Sequence, residues 1–162
     1  MNQNEQIVFD FYSAFQNQDA EKMTSFYSEN IQFEDPAFGT LKGQDAKNMW
    51  LMLCENATDL SITFEIKNAY QNKVYAAWEA HYTFSKTGRK VINKIEAEFT
   101  IQNQLIAQHT DTFNLWLWSK QAMGITGWLI GWSGFFRHKL QKTTYNLLYK
   151  YSSKQTSQNK IG

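Results

Sequence analysis

The sequence of 162 residues predicts an α+β fold, in which three N-terminal helices cover one face of a curved antiparallel sheet. Two observations support this prediction. Apolar residues recur three and four positions apart up to about residue 55, and from residue 60 they alternate with polar residues. Short turn signals separate the alternating segments, as in a meander of antiparallel strands. The length fits one domain with a substantial core.

Three helices are predicted from their apolar faces. The first covers about residues 5–17, the second begins after the capping residue Asp19, and the third ends near Glu55. A fourth helix is expected from about Ser133 within a C-terminal extension. The inward positions of the first three helices are Ile7, Val8, Phe11, Phe15, Met23, Phe26, Tyr27, Ala46, Met49, Trp50 and Leu53.

Four strands follow, at about residues 60–66, 74–84, 91–101 and 105–117. A two-residue loop at Thr87-Gly88 and a three-residue loop at 102–104 would fix the register between them. Small alanines in the inner rows would leave room for a cavity beside larger polar side chains. The inner rows then read Trp78–Ala97–His109, Ala80–Ile95–Asp111 and Tyr82–Asn93–Phe113.

Asp35 is a candidate acid–base residue in the run Phe33-Glu34-Asp35-Pro36. In an extended chain it shares the face of Ile31 and Phe33, which are apolar. Apolar surroundings raise the pKa of a carboxyl and suit it to carry a proton. An acid before proline is equally typical of a turn. Both interpretations stay open from the sequence.

His109 and Asp111 are a second candidate pair because they alternate on one strand face. An inward histidine beside an inward aspartate can exchange protons near neutral pH, or it can simply be a polar pair that fixes the strand. The chain has only three histidines and one cysteine, Cys54, so neither a metal site nor an internal disulfide is expected. We also expect no cofactor, since no phosphate-binding glycine loop is present.

Several segments in this order resemble the nuclear-transport-factor-2-like superfamily over residues 5–118. They are 15–19, 33–36, Gly43, 88–90 and 106–113. The resemblance implies a cystatin-like cone fold, and it gives Asp35 the role of general base that the matching aspartate has in ketosteroid isomerases. That family also uses a tyrosine and a protonated acid as oxyanion donors. Here those positions carry Phe11, with Tyr12 one residue away, and Ala97, so steroid isomerisation is not expected.

The match is closer to a SnoaL-like bacterial group that has a His-x-Asp-x-Phe strand end and a Trp-rich segment after it. The resemblance implies a small apolar ligand and proton-transfer chemistry of the isomerase, cyclase, dehydratase or hydrolase type. The alternative is a non-catalytic binding or interaction protein. The expected catalytic residues are Asp35, His109 and Asp111; the expected substrate-binding residues are Tyr12, Phe33, Trp50, Trp78, Tyr82, Asn93 and Ala97.

Charge divides the chain into two parts. Residues 1–111 hold all 15 acids against nine Lys or Arg, whereas residues 112–162 hold seven Lys or Arg and no acid. The Trp-rich, basic extension at 119–151 is therefore expected to pack on the acidic domain of residues 1–118 or on a second subunit, with a membrane surface as the alternative. Nucleic acid is not expected as a partner, because the basic residues are not densely clustered.

Three further expectations complete the sequence analysis. Residues 152–162 are expected to form a disordered tail. The sheet face opposite the helices, which includes Tyr75, Glu79 and His81, is expected to form a homodimer. The start of the sequence lacks a basic segment followed by an apolar run, so we expect a cytoplasmic protein.

Overall fold

The computed structural model describes residues 1–158 of the chain. Each of the three predicted N-terminal helices is present, and the first begins at a capping box formed by Asn2 and Glu5. The helices are α1 Gln3–Gln16, α2 Ala20–Ser25, α3 Gln44–Asn56, α4 Leu115–Met123, α5 Ile125–Ile130 and α6 Gly134–Gln158. The strands are β1 Tyr27–Asp35, β2 Gly39–Lys42, β3 Ser61–Tyr70, β4 Lys73–Phe84, β5 Arg89–Gln102 and β6 Leu105–Thr112.

One six-stranded sheet with the order β2-β1-β6-β5-β4-β3 carries the fold. Neighbouring strands are antiparallel except β1 and β6, which are parallel. Helices α1 and α3 pack against the sheet and bury their apolar sides. The predicted α+β cone is confirmed. The sequence analysis missed the hairpin of β1 and β2, and this hairpin brings Asp35 opposite Gly39.

The predicted register was wrong by two residues over most of the sheet. Trp78 pairs with Ile95 because the β4–β5 loop has four residues. Ala97 pairs with Asp111 because the β5–β6 loop has only two residues and the ladder shifts by one more residue between Thr100 and Ile101. A shift of two keeps the side chains of the inner rows on their predicted face, whereas Ile106, expected on the outer face of the last strand, is buried next to this irregularity. The two-residue loop is Asn103-Gln104, and both residues have a positive φ, as a tight hairpin turn requires.

Two predicted boundaries at the C-terminal side were also wrong. The last strand ends at Thr112 rather than near Leu117, because Asn114 caps α4 by accepting a hydrogen bond from the Leu117 N–H at 2.9 Å. The tail expected to be disordered is helical as far as Gln158, where α6 ends. Residues 159–162 of that expectation lie outside the described residues.

Helix α6 lies against α3 and against the turn that joins β1 to β2. Thr144 Oγ1 donates to the Ala37 carbonyl at 2.8 Å, and Gln141 Nε2 donates to the Pro36 carbonyl at 3.2 Å. Leu148 is buried at the same interface. The extension therefore packs on the domain, as expected, and covers the segment that follows Asp35.

The part of the extension between Trp116 and Trp132 does not pack as predicted. Trp118 is buried, but Trp128, Leu129 and Trp132 are more than half exposed. Within residues 1–158, no Lys or Arg beyond residue 111 lies within 4.0 Å of a carboxylate, so the basic and acidic parts of one chain form no ion pair with each other there. The alternative, that the basic segment lies along the acidic surface of a second subunit, stays a prediction. Among the described helices, none is long and apolar enough to cross a membrane.

Candidate functional site

A buried chain of hydrogen bonds crosses the interior of the cone. Trp50 Nε1 donates to the Tyr27 hydroxyl at 2.8 Å, and this hydroxyl lies 2.7 Å from His109 Nδ1. On the other side of the ring, His109 Nε2 lies 2.9 Å from Asp111 Oδ1, which also accepts from Trp78 Nε1 at 3.2 Å. His109 is completely buried and Asp111 almost so. The expected pairing of His109 with Asp111 is therefore present in the structure.

The donors and acceptors of this chain assign its protons. An indole N–H can only donate, so Trp50 uses one lone pair of the Tyr27 oxygen. The Tyr27 proton then has its partner in His109 Nδ1, which leaves the single ring proton on Nε2, where it is directed at Asp111. Every buried group of the chain is satisfied in this arrangement. Burial raises the pKa of the Tyr27 hydroxyl, and the charge of Asp111 raises it further.

Trp78 reaches Asp111 across a whole strand, because it lies on β4 whereas Asp111 lies on β6. Ala97 of β5, which is directly opposite Asp111, leaves room for the indole. The indole therefore fills the room that the sequence analysis assigned to a cavity above the alanines. The other interior side chains around His109 are also rings, namely Phe11, Phe33, Trp50 and Phe99, all within 6.0 Å between ring centroids.

Asp35 has both features that the sequence left open, namely the hydrogen bonds of a turn and a raised pKa. Its Oδ1 accepts from the backbone N–H of Ala37 at 2.9 Å and of Phe38 at 2.5 Å, which is the turn chemistry. Burial nevertheless raises the pKa of this carboxyl to about 7; the two N–H donors oppose the increase and the charge of Asp111 adds to it. Asp35 is half-buried, so solvent still reaches it.

Asp35 and Asp111 occupy neighbouring positions on adjacent strands. Phe33 pairs with His109 and Glu34 with Thr110 in the parallel ladder of β1 and β6, so the next position along places Asp35 beside Asp111. Adjacent strands lie about 4.8 Å apart. Asp111 accepts hydrogen bonds from two ring N–H groups, which stabilise its charge, whereas Asp35 loses solvation beside that charge. The two carboxyls therefore lie in different environments: Asp111 accepts hydrogen bonds from two ring N–H groups, whereas burial beside that charge raises the pKa of Asp35.

Tyr12 supplies a polar group with no partner. Its hydroxyl is the one buried side-chain oxygen or nitrogen within residues 1–158 that makes no hydrogen bond, although the residue is completely buried. Burial raises its pKa, and the charge of Asp111 contributes, so this hydroxyl lies on the same side of the core as the carboxyl pair. The Tyr12 ring stacks on Phe64 and lies 6.0 Å from Trp78.

Two of the expected site residues lie elsewhere. Tyr82 packs against both the main core and a second, smaller core that includes α4, and its hydroxyl accepts from Trp118 Nε1 of α4 at 2.7 Å rather than joining the chain at His109. Asn93 pairs with Ala80 and is four residues along β5 from Ala97, about 13 Å away in a strand. The other expected residues, Tyr12, Phe33, Trp50, Trp78 and Ala97, do surround the carboxyl pair or His109.

Two surface cavities, of about 470 and about 320 Å³, both lie beside the extension, and neither includes Asp35, His109 or Asp111. Phe113, Trp116, Trp132 and Arg137 help to line the larger one. The expected apolar pocket at the carboxyl pair is occupied by the protein's own rings in this structure. Among the described residues, no cluster of three or more His, Cys, Asp or Glu side chains could hold a metal ion.

The homodimer through the outer sheet face stays a prediction. His81 and Lys94 of that face both lie close to Glu79, at 2.5 and 3.4 Å, so these three charges are paired within one chain. Such a surface, with several of its charges already paired, suits a modest two-fold interface.

Comparison with known proteins relates this geometry to a family. The model of the SnoaL-like domain matches residues 8–109, which include Asp35 and His109 and end two residues before Asp111. No curated protein matches the chain. Among solved structures, a proposed polyketide cyclase from Xanthomonas campestris is 20% identical and superimposes with a TM-score of 0.62, covering 74% of this chain and 96% of its own.

Two further structures share the fold at similar distances. A ketosteroid isomerase-like protein from Erwinia carotovora atroseptica is 18% identical, with a TM-score of 0.57 and coverage of 67% of this chain and 92% of its own. An LEH-like epoxide hydrolase from M. tuberculosis is 14% identical, with a TM-score of 0.61 and coverage of 78% and 95%. At these identities the likeness shows the nuclear-transport-factor-2-like cone fold and no particular activity.

Proposed function

The chain belongs to the SnoaL-like family, and from that premise we propose that it is an enzyme catalysing proton transfer on a small apolar molecule, with Asp35 as the acid–base group. Reactions of the isomerase, cyclase, dehydratase and hydrolase types all fit this chemistry. The observation that carries the proposal is the carboxyl pair: Asp35 has a pKa of about 7 beside Asp111, whose charge is held by two ring N–H groups. Paired carboxyls with different protonation states are typical of acid–base sites.

His109 is a positioning residue in this proposal. Its Nε2–H donates to Asp111 Oδ1 and fixes the position of that carboxyl, and its Nδ1 is held in turn by the Tyr27 hydroxyl. The unpartnered Tyr12 hydroxyl is the natural donor to a polar atom of the ligand, because a buried hydroxyl without a partner costs free energy that a ligand oxygen would recover.

The ligand has to enter between the rings and α6. Thr144 and Gln141 attach α6 to the turn that immediately follows Asp35. Opening of this helix would expose the carboxyl without disturbing the buried chain of Trp50, Tyr27 and His109. Steps of this kind commonly limit the rate in enzymes that close over their substrates.

The test is turnover of a panel of small β,γ-unsaturated ketones and epoxides in D₂O, followed by proton NMR. Loss of a proton signal beside the carbonyl reports an isomerase or cyclase type of base, and appearance of a diol reports a hydrolase. We expect Asp35→Asn to lower the rate by about 100-fold or more. In the wild type, a base mechanism makes the rate rise with pH and level off above about pH 7.

Glu29→Gln is the matched control, since it removes one carboxylate from a solvent-exposed position of the same strand, six residues before Asp35. It should leave the rate and its pH dependence unchanged. Equal rates for Asp35→Asn and wild type on a substrate that turns over would remove Asp35 from the mechanism. Absence of turnover across the panel would count against the enzyme proposal.

A second candidate function is supported by the filled interior. Rings occupy the space around His109, and the chain of Trp50, Tyr27, His109, Asp111 and Trp78 is satisfied without a ligand. A protein that uses this network only to fix its core would be a non-catalytic interaction protein. Turnover in the panel separates the two.

A further inference from the structure

Helix α5 turns its small residues inward and its large apolar residues toward solvent. A Cβ added at Gly127 would lie 1.9 Å from the Ser119 carbonyl oxygen, and one added at Gly131 would lie 1.8 Å from Ser119 Oγ. At Gly127 the backbone of α5 therefore meets the Ser119 backbone of α4, and at Gly131 it meets the Ser119 side chain, with no space for larger groups at either position. This is the reverse of a helix in a water-soluble core and is typical of helices that present large side chains to lipid.

The outward side chains form one exposed surface, which we call the apolar patch and define as Ile125, Trp128, Leu129, Ile130, Trp132 and Phe135. The side chains at 125, 132 and 135 are 79%, 74% and 74% exposed. No charged residue lies between positions 121 and 136. Surfaces of this size and composition seldom stay in contact with water on a soluble protein.

Basic side chains flank the apolar patch on two sides, each beside a cavity. Arg137 lines the larger cavity together with Trp116 and Trp132. Arg89 and Lys120 line the smaller cavity together with Trp128 and Ile125. Among residues 1–158, none of these three cations lies within 4.0 Å of a carboxylate. The surface thus offers tryptophans next to cations whose charge the protein itself does not neutralise.

We propose that the apolar patch inserts into the surface of a bilayer that contains anionic lipids, with Arg89, Lys120 and Arg137 binding the lipid phosphates. Tryptophan side chains favour the boundary between headgroups and acyl chains, and each basic residue near an anionic surface strengthens binding about fivefold. The complete absence of Asp and Glu from residues 112–162 favours this occupant over a protein surface of mixed charge. The proposal is independent of the chemistry assigned to Asp35.

Flotation of the full chain with vesicles tests it. We expect binding to vesicles of phosphatidylcholine with added phosphatidylglycerol, much weaker binding to phosphatidylcholine alone, and release at high salt. The double variant Trp128→Ser/Trp132→Ser should lower affinity tenfold or more, and Lys120→Gln/Arg137→Gln should lower it about 25-fold. Bromine-labelled lipids should quench wild-type tryptophan fluorescence, and Trp128→Phe/Trp132→Phe should lose most of that quenching.

Matched controls separate this effect from a general loss of charge or of exposed rings. Tyr70→Ser removes a ring that is 70% exposed at the far hairpin, and Lys22→Gln/Lys42→Gln removes two exposed charges from the domain. Both variants, and also Asp35→Asn, should bind vesicles as the wild type does.

Three outcomes overturn the proposal. The first is a wild-type protein that fails to bind anionic vesicles. The second is a dimer in solution that Trp128→Ser/Trp132→Ser dissociates, combined with no vesicle binding; the patch would then contact a second copy of the chain. The third is vesicle binding that the patch variants and the charge variants leave unchanged.

Discussion

Replacing Asp35 by asparagine should stabilise the folded protein, and only at neutral and alkaline pH. Folding raises the pKa of this carboxyl from 3.8 to about 7, so the folded chain binds a proton more tightly than the unfolded chain does. The free energy of unfolding therefore decreases as pH rises from about 4 to 7 and stays low above that. Asparagine keeps the oxygen that accepts from Ala37 and Phe38 and cannot lose a proton.

The magnitude follows from the two pKa values, which differ by an amount corresponding to about 4 kcal/mol. Because solvent reaches part of Asp35, we expect Asp35→Asn to raise the free energy of unfolding by about 2 to 4 kcal/mol above pH 7. The assay is urea unfolding of wild type, Asp35→Asn and the exposed-site control Glu29→Gln at steps between pH 4 and pH 8. The difference between wild type and Asp35→Asn should grow with pH and level off above pH 7. A difference that is constant over this range, or a less stable Asp35→Asn at pH 8, would refute the reasoning.

Two further pairs of substitutions test the interior and the extension. Tyr27→Phe leaves two buried ring nitrogens without a partner, so we expect it to lower the free energy of unfolding in urea by about 2 to 4 kcal/mol. Tyr12→Phe removes a hydroxyl that has no partner, so we expect it to lower the same free energy by less than about 0.5 kcal/mol. Equal losses for the two variants would contradict the proton assignment. Gly127→Ala should lower the free energy of unfolding by about 1 to 3 kcal/mol, because its Cβ would meet the Ser119 carbonyl. Gly134→Ala has open space around its Cβ and should leave that free energy unchanged. An unchanged free energy for Gly127→Ala would contradict the close approach of α4 and α5.

Periodicity was sufficient to predict the three N-terminal helices, the start of α6 and the inward face of most strand positions, because these depend on local spacing. It missed α5 and also α4, whose first residues were assigned to the last strand. Register depends on loop length, which the sequence indicates less directly. The β4–β5 loop uses Gly88 with a positive φ as its last residue, after two turn hydrogen bonds to the Phe84 carbonyl, so it has four residues. In the β5–β6 loop Gln104 has a positive φ. Glycine usually occupies such a position and so marks the turn in a sequence, and this loop has none.

The candidate site was predicted in part for the same reason. His109 and Asp111 are two residues apart on one strand, so alternation alone indicated that they share a face. Tyr27 was predicted to be an inward position of the second helix, but it begins β1 and bonds His109 through the parallel pairing of β1 with β6. Nothing local in the sequence indicates a pairing over 82 residues. The parallel pairing of β1 with β6 depends instead on the direction in which β1 runs, and the β1–β2 hairpin sets that direction.

The charge division of the chain shows the limit of arguments from net charge. A basic segment and an acidic domain attract each other only where their charged groups can approach, and α6 instead contacts the domain through Gln141, Thr144 and Leu148. Two acids of the outer sheet face have partners within the sheet, since Glu79 lies near His81 and Lys94, and Glu98 pairs with Lys73. The basic residues of the extension are therefore left for an external anion. The exposed tryptophans beside them make a lipid surface a better match than a soluble ion, because both features are satisfied at once.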